Sequence, residues 1–544
     1  MTTQGLTSTT TRIPIDIRRF PWIRRLAADY AYDFAKLEPF FAGNPADAEA
    51  WRAAIGRAQR HERNRGAIAD VIGAQQRRRA APAEAIAAAG RLRDTQTVAV
   101  VTGQQAGLFG GPLFTLLKAM TAIKLAEHVS RDHGVPAIAV FWIDAEDHDW
   151  DEVKSVGVLN AEGELANVEI GSPANANHEP VARVTLDASA ARAIESLAAT
   201  MPATEFSGAL LDSLRSAYAP GAGMAEAFGR WLESALGRYG LVVYDASDPA
   251  AKPLAAPIFV RELRHIGQTS RLAAEAGAKL DALGYHAQVQ PQPDQAALFH
   301  LNGGRQNIPS TALGASAGAA DWLARAQAHP EEFSPNVLLR PIVQDTLLPT
   351  ICYVAGPNEL AYLGQLRGIY EAFGVPMPLM QPRASATILD SNAMRFLARH
   401  GVAFESLHAQ DEAALNRLLE AQLPASVERS LEDVAAALAD RMETLASAVT
   451  QIDATLDGAT RSAQGRMQDD LKKLHGKIIQ AAKRKDETLR RQFTHARAQA
   501  FPGGHPQERA AGFVSFLNKY GPGFVDRLGE DFPLDMGTHW VMTI

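Results

Sequence analysis

The stretch Asp144, Ala145, Glu146, Asp147, His148, Asp149, Trp150, Asp151, Glu152 holds six acids and one histidine and follows directly on the apolar run FWI. Carboxylates at this density bind a divalent cation, hold a substrate amine, or favour the charged form of a neighbouring imidazole so that it serves as acid or base. On an extended chain Asp144, Glu146 and His148 share one side, while Asp147, Asp149 and Asp151 share the other. A solvated charged loop is the competing reading, but a solvated run normally lacks a buried strand immediately before it. The carboxyl edge of an α/β sheet is where ligands bind. The catalytic candidates are therefore His148, Asp147, Glu146 and Asp149.

A second candidate is the glycine-rich loop from Gly103 through Gln104, Gln105 and Gly107 to Gly111, set between the strand-like TVAVV and a helical stretch. Backbone N–H groups at a helix N-terminus attract phosphate or carboxylate. The loop is neither GxGxxG nor GxxxxGK[ST], so a purely structural tight turn competes with binding. Gln104 and Gln105 each offer a neutral donor and acceptor. Lys118, two turns into the helix, reads either as a cation for an anionic ligand or as an ordinary exposed lysine.

A third group comes from RPIVQDTLLPT, with Arg340, Gln344 and Asp345, followed by Gly356, Pro357, Asn358 and Glu359 where a strand meets a helix. Pro357 suits a first helical turn, and ordinary capping competes with anion binding there. Arg383, Ser385 and Thr387 follow the run VPMPLM, at another carboxyl edge.

Such residues need a scaffold that gathers strand ends. TVAVV, the loop, the helix closed by Gly134 and VPAIAVFWI make one βαβ unit; PTICYVAG, PNELAYLGQLRGIYEAFG and VPMPLM make another, with a further strand at Leu241 to Tyr244. A right-handed crossover implies a doubly wound parallel sheet. Residues 1–95 read as a mainly helical N-terminal segment of that core, 96–390 as the core with insertions at about 155–235 and 260–335, 391–500 as a helical arm, and 501–544 as a segment returning to the core. The RRR run at 77–79 reads as a solvated helix face.

In the arm, Val427, Leu431, Val434, Leu438, Leu445, Val449, Ile452 and Leu456 step by three, four or seven, a coiled-coil seam. Leu471, Leu474 and Ile478 continue it beyond Gly458 and Gly465, which read as a bend or a turn between antiparallel helices. A net charge of -7 argues against nucleic acid as the partner. The single cysteine, Cys352, lies in an apolar run and reads as a buried hydrophobe. No stretch is long and apolar enough to span a membrane, and the N-terminus lacks a secretory pattern, so a cytoplasmic protein is expected.

VTGQQAGLFGGPLFTLLKAMTAIKLA, FWIDAEDHDWDEV, RPIVQDTLLPTICYVAGPNELAYLGQL, GVPMPLMQPRAS and HPQERAAGFVSFLNKYG, in this order, resemble the bacillithiol biosynthesis cysteine-adding enzyme family. The resemblance implies a Rossmann-type core with insertions, a coiled-coil domain pairing two subunits, and addition of cysteine to glucosaminyl malate. Amide formation needs an activated acyl group, so ATP is the expected source, with Mg²⁺ as its companion; the HIGH and KMSKS motifs of adenylate-forming synthetases are absent. An ADP-type ligand is also implied, either in the crevice or against the helical domain, with Gln507, Arg509, Lys519 and Tyr520 as candidates. Malate carboxylates would suit Arg340, Arg383 or Lys118. Two alternatives stand beside the ligase: a metal-dependent hydrolase or transferase using Asp147, His148 and Asp149, and a non-catalytic dimeric nucleotide-binding module.

Overall fold

The computed structural model describes residues 11–544 apart from 174, 175, 177, 178, 314, 315, 422–424, 486 and 531. Residues 1–10, part of the N-terminus read above for a secretory signal, lie outside the described residues. The chain divides into two compact units, one of residues up to 388 with 507–542 and one of residues 389–506.

The first unit is built on five parallel strands, β1 (Val98–Gln104), β2 (Ala137–Ile143), β3 (Val242–Asp245), β4 (Thr350–Ala355) and β5 (Leu379–Pro382), in spatial order β3-β2-β1-β4-β5. Their near-continuous apolar sequences follow from burial on both faces. Val98, Val100, Phe141, Ile143, Cys352 and Val354 enter one core, while Ala99, Val101, Trp142, Tyr244 and Tyr353 enter the other. Cys352 is buried and free, and burial pushes its thiol well up.

Helices that position the chemistry are α1 (Arg65–Arg79), α2 (Leu113–His133), α3 (Met224–Leu236), α4 (Lys252–Arg264), α5 (Arg340–Leu347) and α6 (Glu359–Leu363). The expected solvated arginine face on α1 holds only in part. The Arg79 side chain is fully buried and donates to both Glu233 carboxylate oxygens at 2.8 and 2.9 Å, and to the Val243 carbonyl at 2.7 Å. The first insertion carries the hairpin Ser155–Leu159/Leu165–Glu169 and α3; the second carries the hairpin Gln295–Leu301/Arg305–Pro309, extended by Phe333–Pro335.

Both ends of the chain join this unit: Thr538–Met542 pairs antiparallel with Arg12–Asp16 and parallel with Ser385–Ile388. Beneath that seam the buried Glu508 carboxylate accepts from Arg383 at 3.0 and 2.6 Å, from the Ser385 hydroxyl at 3.0 Å and from the Ala386 N–H at 3.1 Å. Burial opposes ionisation of Glu508, but the Arg383 guanidinium outweighs it and holds the carboxyl at about 2. A depressed carboxylate pKa stabilises the fold above its unfolded value near 4.3 and loses that contribution as pH falls toward the folded value. Stability is therefore expected to drop by roughly 3 kcal/mol between about pH 5 and pH 2 through this group. Urea titrations across that range check it: Glu508→Gln should lack this component of the pH slope, and an identical slope in the variant would refute the assignment.

The second unit contains α7 (Ser391–His400), α8 (Ala425–Val449), α9 (Leu456–Lys485) and α10 (Glu487–Ala500), with α8 and α9 packed as a helical hairpin. The turn falls at residues 450–455, so Gly458 and Gly465 lie inside α9 rather than at a bend. Several seam residues remain open to solvent, among them Val434, Leu445, Ile452 and Leu474.

Candidate active site

Strand order reverses between β1 and β4, and in open α/β sheets the crevice outside the carboxyl ends at that point receives ligands. Lys118 on α2 reaches it although its side chain is buried. Its ammonium donates to the Gly103 carbonyl at 2.8 Å and to Gln104 Oε1 at 3.1 Å, and pairs with Glu359 Oε2 at 2.6 Å. Glu359, at the start of α6, also accepts from the Tyr353 hydroxyl at 3.1 Å and the Gly356 N–H at 2.6 Å. Burial pushes the Glu359 carboxyl up, but Lys118 more than reverses this, and Glu359 in turn resists the downward pull of burial on Lys118. Each partner thus favours the charged form of the other, and three donors of one ammonium tie β1 to the turn after β4.

On α5, Arg340 donates to Gln344 Oε1 at 3.2 Å and to the Tyr362 hydroxyl at 3.1 Å, and its Nε lies 3.6 Å from Asp144 Oδ2. Asp144 leaves 37% of its side chain open; burial pushes its carboxyl up against the pull of Arg340. A carboxylate in this state suits proton transfer better than a fully solvated one.

Asp147 accepts from Gln105 Nε2 at 3.2 Å and from Arg305 at 3.0 Å, and lies 3.1 Å from His148 Nδ1. Arg305 arrives from the second insertion, stacked over the Phe299 ring at 4.1 Å. His148 is 56% exposed, and its Nδ1 contact with Asp147 leaves Nε2 as the nitrogen available to a ligand.

Other candidates are placed differently from the expectation. Glu146 does not share an open face with Asp144 and His148, because β2 ends at Ile143 and the alternation ends with it. It is buried, paired with Lys252 of α4, whose ammonium also donates to the Phe333 carbonyl. Asp149 caps the short helix Trp150–Val153 by accepting from the Glu152 N–H at 3.1 Å. Asp345 is buried, accepting from Gln344 Nε2 and the Tyr370 hydroxyl, so it and Gln344 hold α5 and Arg340 in place. Arg383 is taken by Glu508.

Two glycines of the loop are required by packing. A Cβ on Gly103 would sit 2.9 Å from the Trp142 carbonyl of β2, and one on Gly110 would sit 2.2 Å from the Trp231 ring. The N–H groups of Gly107, Gly110, Gly111 and Leu113 are spent on the Gln105, Gly107, Leu108 and Ala511 carbonyls. What the loop contributes to the crevice is Gln104 and Gln105. Asn358, exposed and making no capping bond, also lies at its rim.

Gln507, Arg509, Lys519 and Tyr520 all belong to the Rossmann unit, not to the helical one. Gln507 spends its amide on both backbone groups of Ile388, Lys519 lies over the Tyr520 ring, and Tyr520 stacks on Phe524, so these do not converge on one ligand. The helical unit instead has a cleft of about 860 Å³ between α7 and α10, lined by Arg395, Arg399, His400, Arg491, Gln492 and His495. Three guanidiniums beside one cleft are donors that fit a polyphosphate. Among the described residues no three His, Cys, Asp or Glu side chains gather closely enough to hold a metal ion.

Tyr353, Tyr362 and Arg305 at the site, and the buried partners Lys252 and Glu508, were not legible. Tyr353 alone carried a signal, as a hydroxyl near the carboxyl end of a buried strand.

A five-stranded doubly wound sheet with a polar crevice at its switch point, in a chain that also carries a unit of long helices, defines a Rossmann-like protein with a coiled-coil domain. The chain belongs to the bacillithiol biosynthesis BshC family: residues 10–384 match its N-terminal Rossmann-like domain and residues 386–544 its C-terminal coiled-coil domain. Relatives named "Putative cysteine ligase BshC" include one from Salinibacter ruber, 31% identical across 95% of this chain and 96% of its own length. One from Koribacter versatilis is 32% identical across 94% and 96%. One from Symbiobacterium thermophilum is 32% identical across 94% of both chains. Among the described residues no helix is long and apolar enough to cross a membrane.

Proposed function

We propose that this protein is a cytoplasmic ligase that joins the cysteine carboxyl group to the amine of glucosaminyl malate, completing bacillithiol. The observation that carries the reading is the convergence of Lys118–Glu359, Arg340–Asp144 and Asp147–His148 on one sheet edge. The names of the relatives support the same chemistry.

The acceptor amine must lose a proton before it attacks. His148, oriented through Nδ1 by Asp147, is the proposed base, with Asp144 as the partly buried carboxylate that holds the ammonium before transfer. Arg340, braced by Gln344 and Tyr362, orients a substrate carboxylate, and Gln104 offers its amide N–H donors because its oxygen already serves Lys118. A nucleoside triphosphate with Mg²⁺ would activate the cysteine carboxylate by transferring a phosphoryl or nucleotidyl group to its oxygen, and that group would leave as phosphate or nucleoside monophosphate when the amine attacks; the arginine-lined cleft of the helical unit is proposed to bind a nucleotide. We also propose a homodimer through the helical hairpin, supported by the exposed Val434, Leu445, Met467 and Leu474 on α8 and α9.

Mass spectrometry of purified protein with glucosaminyl malate, cysteine, Mg²⁺ and ATP tests the reading. Product is expected only with nucleotide, and His148→Ala is expected to slow its formation about 10²- to 10⁴-fold. Product without nucleotide would retain the substrates and sink the activation scheme. No product from folded wild-type protein would sink the ligase.

A further inference from the structure

Most cations around the crevice already have protein partners, including Arg340, whose remaining donors are those assigned above to a substrate carboxylate. Lys118 is held by Glu359, Arg340 by Gln344, Tyr362 and Asp144, Arg305 by Asp147, Lys252 by Glu146, and Arg383 by Glu508. Arg509 is different: among the described residues it makes no hydrogen bond or ion pair, and it is partly enclosed but still exposed to solvent. Its guanidinium lies 5.9 Å from the Phe114 ring centroid, beside Arg383, which approaches the same ring at 5.5 Å. Phe114 and Lys118 are one helical turn apart on α2, on the same face. Arg509 therefore lies along the wall that leads to Lys118 and Glu359.

The electrostatics agree with that placement. Burial and the neighbouring Arg383 both pull the Arg509 pKa down, while Glu508 and Glu359 pull it up. A like-charged neighbour makes this an unfavourable place for a cation, and no contact to an acidic side chain compensates it. An exposed guanidinium fork steadied by a ring, with no protein acceptor taking its donors, suits bidentate carboxylate or phosphate recognition.

We propose that Arg509, steadied by Phe114, anchors an oxyanion of the ligand entering the crevice, and so sets which anionic substrate the site accepts. The inference rests on the crevice being the substrate site, as in the proposed function. The oxyanion is either a carboxylate of an organic acid substrate or a phosphate of a nucleotide, and the second outcome would place the nucleotide in the crevice instead of the arginine-lined cleft of the helical unit.

Calorimetric titration of the full-length chain with glucosaminyl malate, L-cysteine and ADP separately, comparing wild type with Arg509→Gln and Arg509→Lys, tests the proposal. Arg509→Gln is expected to weaken binding of at least one probe about ten- to a hundredfold, with Arg509→Lys in between. Thermal unfolding should stay close to the wild-type midpoint, since no hydrogen-bonded or ionic protein partner is lost and only the Phe114 ring contact goes. Weakening confined to glucosaminyl malate or cysteine assigns a carboxylate; weakening confined to ADP assigns a phosphate. Unchanged affinity for all three probes, or wild-type protein that binds none of them, overturns the anchor. Because binding is read without turnover, weakened binding in a protein that forms no bacillithiol would retain the anchor while rejecting ligation.

Discussion

Lys118→Met is expected to destabilise the Rossmann unit by about 3–5 kcal/mol and to abolish activity. Removing the ammonium leaves Glu359 charged, largely enclosed and without its counter-ion, and also leaves the Gly103 carbonyl and Gln104 Oε1 without their donor. An uncompensated buried charge costs far more than the net worth of the pair it came from. The double variant Lys118→Met/Glu359→Leu should therefore recover most of the stability, since an apolar pair of similar volume replaces the ions. Activity should not return, because the turn after β4 no longer holds its register against β1. All seven tryptophans lie in this unit, so tryptophan fluorescence during urea unfolding reports it alone. An unchanged midpoint for Lys118→Met would refute the buried pair.

Arg79→Met should cost stability on the same scale, about 3–5 kcal/mol, with a different functional consequence. The guanidinium joins α1 to Glu233 on α3 and to the Val243 carbonyl of β3, all inside the core and away from the crevice. Its loss leaves Glu233 buried and unpaired, and burial already pushes that carboxyl up. Arg79→Met/Glu233→Leu should regain most of the loss. Below its unfolding transition Arg79→Met should still turn over, whereas Lys118→Met should not. Equal loss of activity in both folded variants would mean that the crevice depends on the whole core rather than on Lys118.

Local pattern carried much of the architecture. The runs VAVV, AIAVFWI and TICYVA are apolar on both faces, and only a parallel sheet covered on both sides uses such strands, so the βαβ units and the acid-rich segment at the end of β2 were legible. The coiled-coil seam was legible from its three- and four-residue steps, whereas its turn was not. Gly458 and Gly465 drew the eye, yet the chain reverses at 450–455, because glycine costs a long helix only about 1 kcal/mol.

The charges behaved differently. Arg77, Arg78 and Arg79 are adjacent and identical in type, but the helical twist turns only the third into the core, where Glu233 awaits it. Gly103 read as part of a loop with exposed backbone donors, and its missing side chain makes room for the neighbouring strand. Glu146 read as a catalytic acid and proved to be the partner of Lys252.

By itself the sequence determined the family, through its ordered motifs, and the parallel sheet, the helical hairpin and the acid-rich strand edge, through periodicities within a few residues of chain. The tertiary structure alone decided which ions are spent and which remain open. Lys118 meets Glu359, Arg305 meets Asp147 and Arg383 meets Glu508 only after distant segments close on one another. A charge pair is a contact in space, and no local period in the chain encodes it.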